Sequence, residues 1–160
     1  MNMEQEKQIT EFMPLGKAMA TITKNYYGAL SKRIEYLGFD RHVTTLVIIE
    51  ATKEKCTQQY LSDTLNCDKV TMVRLLDYLV AKGMINRVMN INDRRERIIK
   101  LTDKAKKLMP KIQKEISDMN KIALNGFSEK EQLLYKKFID RTIINLKNLP
   151  VNNVDIKIKK

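Results

Sequence analysis

The amino-acid sequence predicts a mainly α-helical protein, with about six helices and one small β-hairpin. Three observations support this fold class. Apolar residues recur at a spacing of three to four over most of the chain, which is the period of an amphipathic helix. Helix-capping residues or a proline stand at the start of these periodic stretches. Between residues 84 and 101, β-branched residues instead flank the turn formers Asn90, Asn92 and Asp93.

Two helices are predicted in the first third of the chain. The first runs from near Pro14, which suits the first turn of a helix, to Leu37. Gly38 is expected to end it as a left-handed cap. Asp40 is expected to cap a second helix that extends to about Thr52.

The middle of the chain predicts a helix pair followed by a hairpin. Thr57 is expected to cap a short third helix that ends at Leu65, and Asp68 a fourth that ends at Gly83. The strands of the hairpin are predicted at 85–91 and 96–101, with the Asn-Asp-Arg-Arg sequence of residues 92–95 at its tip. This order predicts a winged helix-turn-helix, in which the second helix of the pair enters the major groove of DNA and the hairpin contacts DNA beside it.

Two longer helices are predicted in the last third. Thr102 and Asp103 precede the fifth, whereas Ser128 and Glu131 form a capping box for the sixth, which Pro150 ends. Helices one, five and six carry more apolar surface than a head of this size can cover, so a second copy is expected to bury the surplus. The predicted divisions are an N-terminal dimerisation helix, a DNA-binding head, C-terminal dimerisation helices and a basic tail, at 1–37, 38–102, 103–149 and 150–160.

The chain is basic, with 30 Lys and Arg residues against 19 Asp and Glu residues and a net charge of +11. Such an excess favours a polyanionic partner such as DNA, RNA or an anionic membrane, although lysine-rich surfaces are also common in soluble proteins. No window of roughly 18 apolar residues predicts a transmembrane span, and residues 1–11 lack the apolar core of a secretion signal. We therefore expect a cytoplasmic protein whose two cysteines are reduced thiols.

The fourth helix has two faces on a helical wheel. Its core face centres on Leu76, and its outer face carries Val70, Thr71, Arg74, Asp77, Tyr78 and Ala81. Arg74 can pair with a guanine edge or a phosphate, Thr71 can bond a base or a phosphate, and Val70 can pack on a thymine methyl. A plain amphipathic helix with a mixed outer surface would show the same pattern, so the helix alone does not decide the function.

The hairpin adds the second part of the argument, because it concentrates arginines around one exposed loop. Arginine gains from the negative potential of a narrow minor groove, and Asp93 is expected to pair with Arg95 and fix its direction. A solvated, charged turn is the alternative. The residues expected to contact DNA are Gln58, Lys69, Val70, Thr71, Arg74, Tyr78, Arg87, Arg94, Arg95 and Arg97.

These segments resemble the MarR (multiple antibiotic resistance regulator) family of bacterial transcription factors. Residues 60–65 (Tyr-Leu-Ser-Asp-Thr-Leu) resemble the family's third helix, and residues 68–83 resemble its recognition helix. The Asp-Arg-Arg sequence of residues 93–95, followed by residues 98–102, resembles the wing and the start of the next helix. Asn145 and Leu146 match the end of the last helix, so the resemblance covers nearly the whole chain.

The resemblance implies a homodimer with interleaved terminal helices, whose two winged heads bind a pseudo-palindromic operator in double-stranded DNA. Many such proteins are repressors that a small phenolic or lipophilic ligand, or oxidation, releases from DNA. Carried over to this chain, Thr71 and Arg74 become groove contacts and Arg95 the wing arginine held by Asp93. Val70 departs from the family pattern, because a small polar residue is usual there.

A pocket for a small aromatic or lipophilic effector is implied at the junction of the dimerisation region and the head. Its candidate lining residues are Met19, Tyr26, Tyr27, His42, Thr45 and Leu46. Met and Tyr suit an adaptable apolar pocket with few polar handles. The alternative is that these residues simply pack the core.

A thiol-based redox regulator is one rival function. Cys56 and Cys67 flank the third helix, where about nine helical residues at ~1.5 Å each separate them by more than ~13 Å. A disulfide needs Cα atoms within roughly 7 Å, so an intrachain bridge is not expected. The first helix also lacks the cysteine with which some family members sense peroxide.

The other rival functions are a metal sensor, an enzyme and a DNA-architectural protein. The chain has one histidine, His42, whereas a structural zinc site needs four close ligands, so neither a metal nor a cofactor is expected. It has no Ser-His-Asp set, no glycine-rich phosphate loop and no paired carboxylates in an apolar setting, which argues against an enzyme. An architectural winged-helix protein without a ligand response remains an alternative to a regulator.

Overall fold

The computed structural model describes residues 14–39, 41–52, 56–90, 96–147 and 149–150. Within them, six α-helices and a two-stranded antiparallel hairpin confirm the predicted fold class. The elements are α1 (Leu15–Ile34), α2 (Val43–Thr52), α3 (Gln58–Leu65), α4 (Lys69–Ala81), β1 (Ile85–Met89), β2 (Arg97–Leu101), α5 (Asp103–Ala123) and α6 (Glu129–Leu146). None of the described helices is long and apolar enough to cross a membrane.

The predicted helix caps are confirmed wherever the structure describes them. The side chains of Thr57, Asp68 and Ser128 accept hydrogen bonds from backbone N–H groups of the helices they precede. Glu131 completes the capping box by accepting from the backbone N–H of Ser128. Thr102 likewise accepts from the N–H of Ala105 at the start of α5, at 3.1 Å. These caps satisfy N–H groups that lack a partner within the helix.

Several element ends differ from the predictions. α2 begins at Val43, α4 ends at Ala81 and β2 begins at Arg97. α1 ends at Ile34 and continues as a 3₁₀ turn (Glu35–Leu37). Gly38 adopts the left-handed conformation, and its N–H donates to the carbonyl of Glu35, which closes this tighter turn. β1 ends at Met89, short of residue 91. α6 ends at Leu146, four residues before Pro150. Asp40, residues 92–95 and residues 151–160, which carry further predictions, lie outside the described residues.

The chain forms two compact units, one of residues 1–29 with 119–160 and the other of residues 30–118. The second unit contains the helix pair and the hairpin. Its apolar core brings together side chains from α2, α3, α4, both strands and the first half of α5, namely Leu46, Ile49, Leu61, Met72, Leu76, Leu79, Ile85, Ile99, Met109 and Ile112. This core holds α4 and the hairpin in a fixed arrangement.

The hairpin pairs Ile85 with Leu101 and, at its outer end, Met89 with Arg97. The chain before α3 adds one isolated bridge to the hairpin, between Thr57 and Ile98, and the N–H of Ile99 donates to the carbonyl of Cys56 at 2.7 Å. The chain entering α3 is therefore bonded to the wing.

The first unit contains α6, most of α1 and the end of α5. The hydroxyl of Tyr26 donates to the Asn120 side chain at 2.6 Å. The Tyr26 side chain is partly buried, and this burial raises its pKa above the ordinary value, with a smaller contribution from Tyr27. No residue of α6 is buried. Its exposed apolar side chains are Leu133, Leu134, Phe138, Ile139, Ile143, Ile144 and Leu146.

Candidate DNA-binding surface

The start of α4 is fixed by its cap, Asp68. One carboxylate oxygen accepts from the N–H of Thr71 at 2.9 Å and the other from the Thr71 hydroxyl at 2.7 Å. These bonds to the ionised form hold the pKa of Asp68 below its usual value. The Thr71 hydroxyl has thus committed its proton, so its oxygen faces any further partner as an acceptor.

The outer face of α4 is exposed as the helical wheel predicts. Lys69, Thr71 and Arg74 are exposed, and Val70 is 59% exposed at the first turn. On the opposite face, Met72, Leu76 and Leu79 are fully buried and anchor the helix in the head. Gln58 lies on the first turn of α3 and is half-buried. The structure therefore places Val70, Thr71 and Arg74 together on one exposed face, whereas Tyr78 is half-buried.

The end of α4 is bonded to the start of α5. Gly83 adopts the left-handed conformation with φ 67°, which turns the chain out of the helix. Its carbonyl accepts from the Thr102 hydroxyl at 2.7 Å, and the carbonyl of Lys82 accepts from Nζ of Lys104 at 2.9 Å. Carbonyls at a helix end lack partners within the helix, so these bonds anchor α4 at its second end.

The hairpin presents arginine side chains towards its outer end. Residues 87, 89 and 97 share the face of the hairpin on which Ile99 is buried, because side chains alternate along a strand and directly paired residues point the same way. Arg97 is exposed. The N–H of Asn90 donates to the carbonyl of Glu96 at 3.1 Å, and the side chains of the same two residues bond at 2.5 Å. This double contact closes the base of the wing loop, whose predicted contacts Arg94 and Arg95 and their partner Asp93 lie outside the described residues.

Arg87 has a protein partner that the sequence did not indicate. Its Nη2 lies 2.7 Å from Oδ1 of Asp77 on the outer face of α4. The ion pair links β1 to α4, and it places the charge of Arg87 beside a carboxylate. Arg87 is therefore a brace between the two elements as well as a predicted DNA contact.

Tyr78 also packs against the protein, since it is half-buried. The ring of His42 meets its ring edge-on at 5.4 Å, and the guanidinium of Arg41 lies 4.6 Å from its centroid. Nζ of Lys82 lies 5.7 Å from the centroid of the same ring. Lys82 follows Tyr78 by four positions, so the helical period of the sequence could have indicated this contact. Arg41 is far from Tyr78 in sequence, so only the fold reveals that contact.

The six predicted effector-pocket residues are divided between the two units. Met19, Tyr26 and Tyr27 lie on α1 in the first unit. In the second unit, Thr45 and Leu46 are buried in the core and His42 is half-buried. The effector pocket remains a prediction.

The two cysteines are free thiols on either side of α3. Cys56 is 0% exposed, and this burial raises its pKa to about 11. Burial and the neighbouring Asp68 also raise the pKa of Cys67. Both changes disfavour the reactive thiolate. Across the described residues, no group of three or more His, Cys, Asp or Glu side chains could hold a metal ion.

Comparison with known proteins agrees with this arrangement. A family model described as MarR family matches residues 40–96, which include α2, α3, α4 and β1. A MarR transcriptional regulator from Methanosarcina mazei Go1 is 27% identical, with a TM-score of 0.75, and the match covers 84% of this chain and 96% of that one.

Two further solved structures share the fold. A MarR family transcriptional regulator from Listeria monocytogenes, complexed with 26mer DNA, is 21% identical with a TM-score of 0.78; the match covers 89% of this chain and 100% of that one. A mutant MarR from E. coli, complexed with operator DNA, is 21% identical with a TM-score of 0.75, over 84% and 97% of the two chains. The matched head, the solved structures and the architecture agree, and the chain is similar to MarR-family transcriptional regulators, with which it shares the winged helix-turn-helix fold.

Proposed function

We propose that this protein is a sequence-specific DNA-binding regulator that acts as a homodimer on a pseudo-palindromic operator and represses transcription until a small effector releases it. The observation that carries the proposal is the outer face of α4. It exposes Val70, Thr71 and Arg74 side by side, on a helix whose two ends are bonded and whose inner face is buried. Rigid presentation of a few side chains is what major-groove recognition requires.

The side chains on this face divide into base-reading and backbone-binding groups. Arg74 can donate two hydrogen bonds to a guanine edge, and Val70 can contact a thymine methyl. Because Thr71 has committed its proton to Asp68, its oxygen suits an amino group of adenine or cytosine. Lys69 and Arg97 carry charges suited to phosphates, and such contacts position a protein without reading sequence.

The proposal agrees with what related structures contain. The regulator from Listeria monocytogenes holds 26mer DNA, and the E. coli MarR mutant holds operator DNA. In this chain, the basic balance of +11 favours the same kind of polyanionic partner.

The homodimer is proposed from α6. This helix carries seven exposed large apolar side chains and buries none, so its apolar face is expected to pack against another molecule. A second copy would cover these side chains in a two-fold arrangement, which would also place two heads on a two-fold operator.

DNA footprinting upstream of the gene, paired with selection from random DNA, tests the function. A regulator protects one discrete palindrome with half-sites about one helical turn apart, roughly 10 bp. Arg74→Ala should then lose about 1–3 kcal/mol of operator affinity and relax specificity at one position in each half-site. The matched control is Arg141→Ala, which removes the same charge from exposed α6.

Two outcomes would contradict the proposal. Uniform coating of DNA with little sequence preference would indicate the architectural alternative. Operator affinity in Arg74→Ala equal to that of Arg141→Ala would remove α4 from base recognition. A reporter gene behind the selected operator measures the sign of regulation, and repression should increase with the dose of protein.

The effector is tested on the protein alone. A thermal-shift screen with aromatic acids should raise Tm if one of them binds the folded state. No stabilisation at millimolar ligand would argue against an aromatic effector.

A further inference from the structure

A cleft in the second unit lies between the 3₁₀ turn that follows α1 and the first half of α5. Its volume is about 560 Å³, within the range of small-molecule sites. The lining residues are Tyr36, Leu37, Lys104, Lys107, Leu108 and Lys111. None of them belongs to the candidate effector pocket or to the DNA-binding surface.

The three lysines form a charged wall. Lys104, Lys107 and Lys111 follow one another at spacings of three and four, so they share one face of α5. They occupy its N-terminal half, where the helix dipole adds positive potential near the first turn. Carboxylates close by in sequence pair with other lysines, Glu35 with Lys32 and Asp103 with Lys106. Within the described part of the chain, no ion pair engages the three lysines of the wall.

The remaining lining residues supply an apolar and aromatic surface. Leu37 is buried, Leu108 is half-buried, and the ring of Tyr36 is exposed. The Tyr36 hydroxyl donates to Glu115 at 3.4 Å, and Glu115 also pairs with Arg33 at 2.8 Å. These contacts hold the Tyr36 side chain beside the cleft.

We propose that this cleft binds a phosphate monoester whose organic part is apolar or aromatic. Three ammonium groups suit a phosphate, which carries nearly two negative charges at neutral pH and has three acceptor oxygens. A carboxylate would leave more of this positive charge uncompensated. The leucines and the tyrosine ring provide a surface for the organic part, which inorganic phosphate would leave empty.

Occupancy of the cleft is linked to the recognition helix through Lys104. Its Nζ donates to the carbonyl of Lys82 at the end of α4. A phosphate that attracts this ammonium weakens its bond to the carbonyl, and α4 then loses one of the two bonds at its second end. Ligand binding therefore lowers affinity for DNA, a step that rests on the proposed function.

Calorimetry on the full-length protein tests the site, with phenyl phosphate as the probe. We expect phenyl phosphate to bind at least about tenfold more tightly than inorganic phosphate, and phenol not to bind. Lys107→Gln/Lys111→Gln should weaken phenyl phosphate binding by at least about tenfold. The control Lys136→Gln/Lys137→Gln removes the same charge from α6 and should bind like the wild type. Equal affinity in the two double variants, or phenyl phosphate no tighter than inorganic phosphate, would overturn the site.

Titration with operator DNA tests the link. Saturating phenyl phosphate should raise the Kd of the wild type for DNA, whereas Lys104→Met should show the same Kd with and without it. An equal effect of phenyl phosphate on the Lys107→Gln/Lys111→Gln variant would indicate competition for the DNA surface and would overturn the link. Because the calorimetry uses no DNA, failure of the cleft and failure of the proposed function give different results.

Discussion

Arg87 on β1 pairs with Asp77 on α4, with 2.7 Å between Nη2 and Oδ1. Asp77 is the one acidic residue in α4 and lies on its outer face. An unpaired carboxylate there would repel DNA phosphates, and Arg87 offsets that charge. Both side chains are partly exposed, so the pair contributes at most about 1 kcal/mol to stability. Its main consequence is that the wing and the recognition helix are held together.

Arg87→Gln tests whether Arg87 acts through its ion pair with Asp77 or through contact with a DNA phosphate. If Arg87 mainly braces α4, the slope of log affinity against log salt should stay at the wild-type value, because no released counterion is lost. Arg97→Gln is the matched variant, since it removes an exposed arginine from the same face of the hairpin. For that variant the slope should fall by about 0.9.

The charge-reversed double variant completes this test. Asp77→Arg with Arg87→Asp can restore the ion pair with opposite polarity, so it should recover operator affinity that each single reversal loses. No recovery in the double variant, or a lower salt slope in Arg87→Gln, would show that Arg87 acts on DNA rather than on Asp77.

The Asp68 cap predicts a pH dependence of stability. Its pKa in the folded protein is lowered from the ordinary 3.8, mainly by the hydrogen bonds from Thr71. A lowered folded pKa means that the ionised cap stabilises the fold above the unfolded pKa, and that this contribution is lost as pH falls through the folded pKa. The urea midpoint of the wild type should therefore exceed that of Asp68→Asn by a constant amount above about pH 5, and the difference should shrink below about pH 4.

Asp140→Asn on exposed α6 is the control for removing a carboxylate from a helix. The difference in urea midpoint between the wild type and Asp140→Asn should not change with pH in the way expected for Asp68→Asn. A wild-type advantage over Asp68→Asn that persists unchanged to pH 2 would contradict the role of the ionised cap.

The sequence predicted local features well, because their partners lie within a few residues. The caps at Thr57, Asp68 and Ser128 depend on residues three positions away, so the spacing alone identified them. The exposed face of α4 followed from the helical period for the same reason.

Contacts between distant elements could not be predicted in this way. Arg87 reads in sequence as one of several hairpin arginines, and only the packing of β1 on α4 brings it to Asp77. Lys104 meets the carbonyl of Lys82 because the hairpin between them returns the chain to the end of α4. Such pairings depend on the three-dimensional arrangement, which no local pattern records.

The burial of Cys56 predicts that peroxide does not control DNA binding. With a pKa of about 11, its thiol at pH 7 is ionised in only about one molecule in ten thousand. Peroxide treatment should leave the Kd of the wild type for DNA unchanged, as in the Cys56→Ser/Cys67→Ser variant. Loss of binding in the wild type alone would establish thiol sensing.

Phe138 on α6 tests the dimer. Its side chain is 55% exposed, so Phe138→Asp should leave the fold of the single chain intact. Burial of this side chain against a second copy would contribute about 1.5–3 kcal/mol in each protomer, and a buried charge would cost more. Sedimentation should therefore show monomers for Phe138→Asp and dimers for Lys137→Asp, which changes the charge of the same helix by more. A dimer of unchanged affinity in Phe138→Asp would exclude this side chain from the interface.

Val70 predicts a thymine in each half-site, because an exposed valine at the start of α4 can bury its methyl groups against the thymine methyl. Uracil has the same hydrogen-bonding edge and lacks this methyl, so replacing one thymine with uracil isolates the apolar contact. Loss of one buried methyl is worth about 0.8 kcal/mol, or about fourfold in affinity for each half-site. Wild-type protein should therefore prefer the thymine operator by this factor at one position, and Val70→Ala should bind both operators alike. If Val70→Ala keeps the full preference for thymine, the methyl is recognised by another side chain, and the apolar outer face of α4 does not read the base.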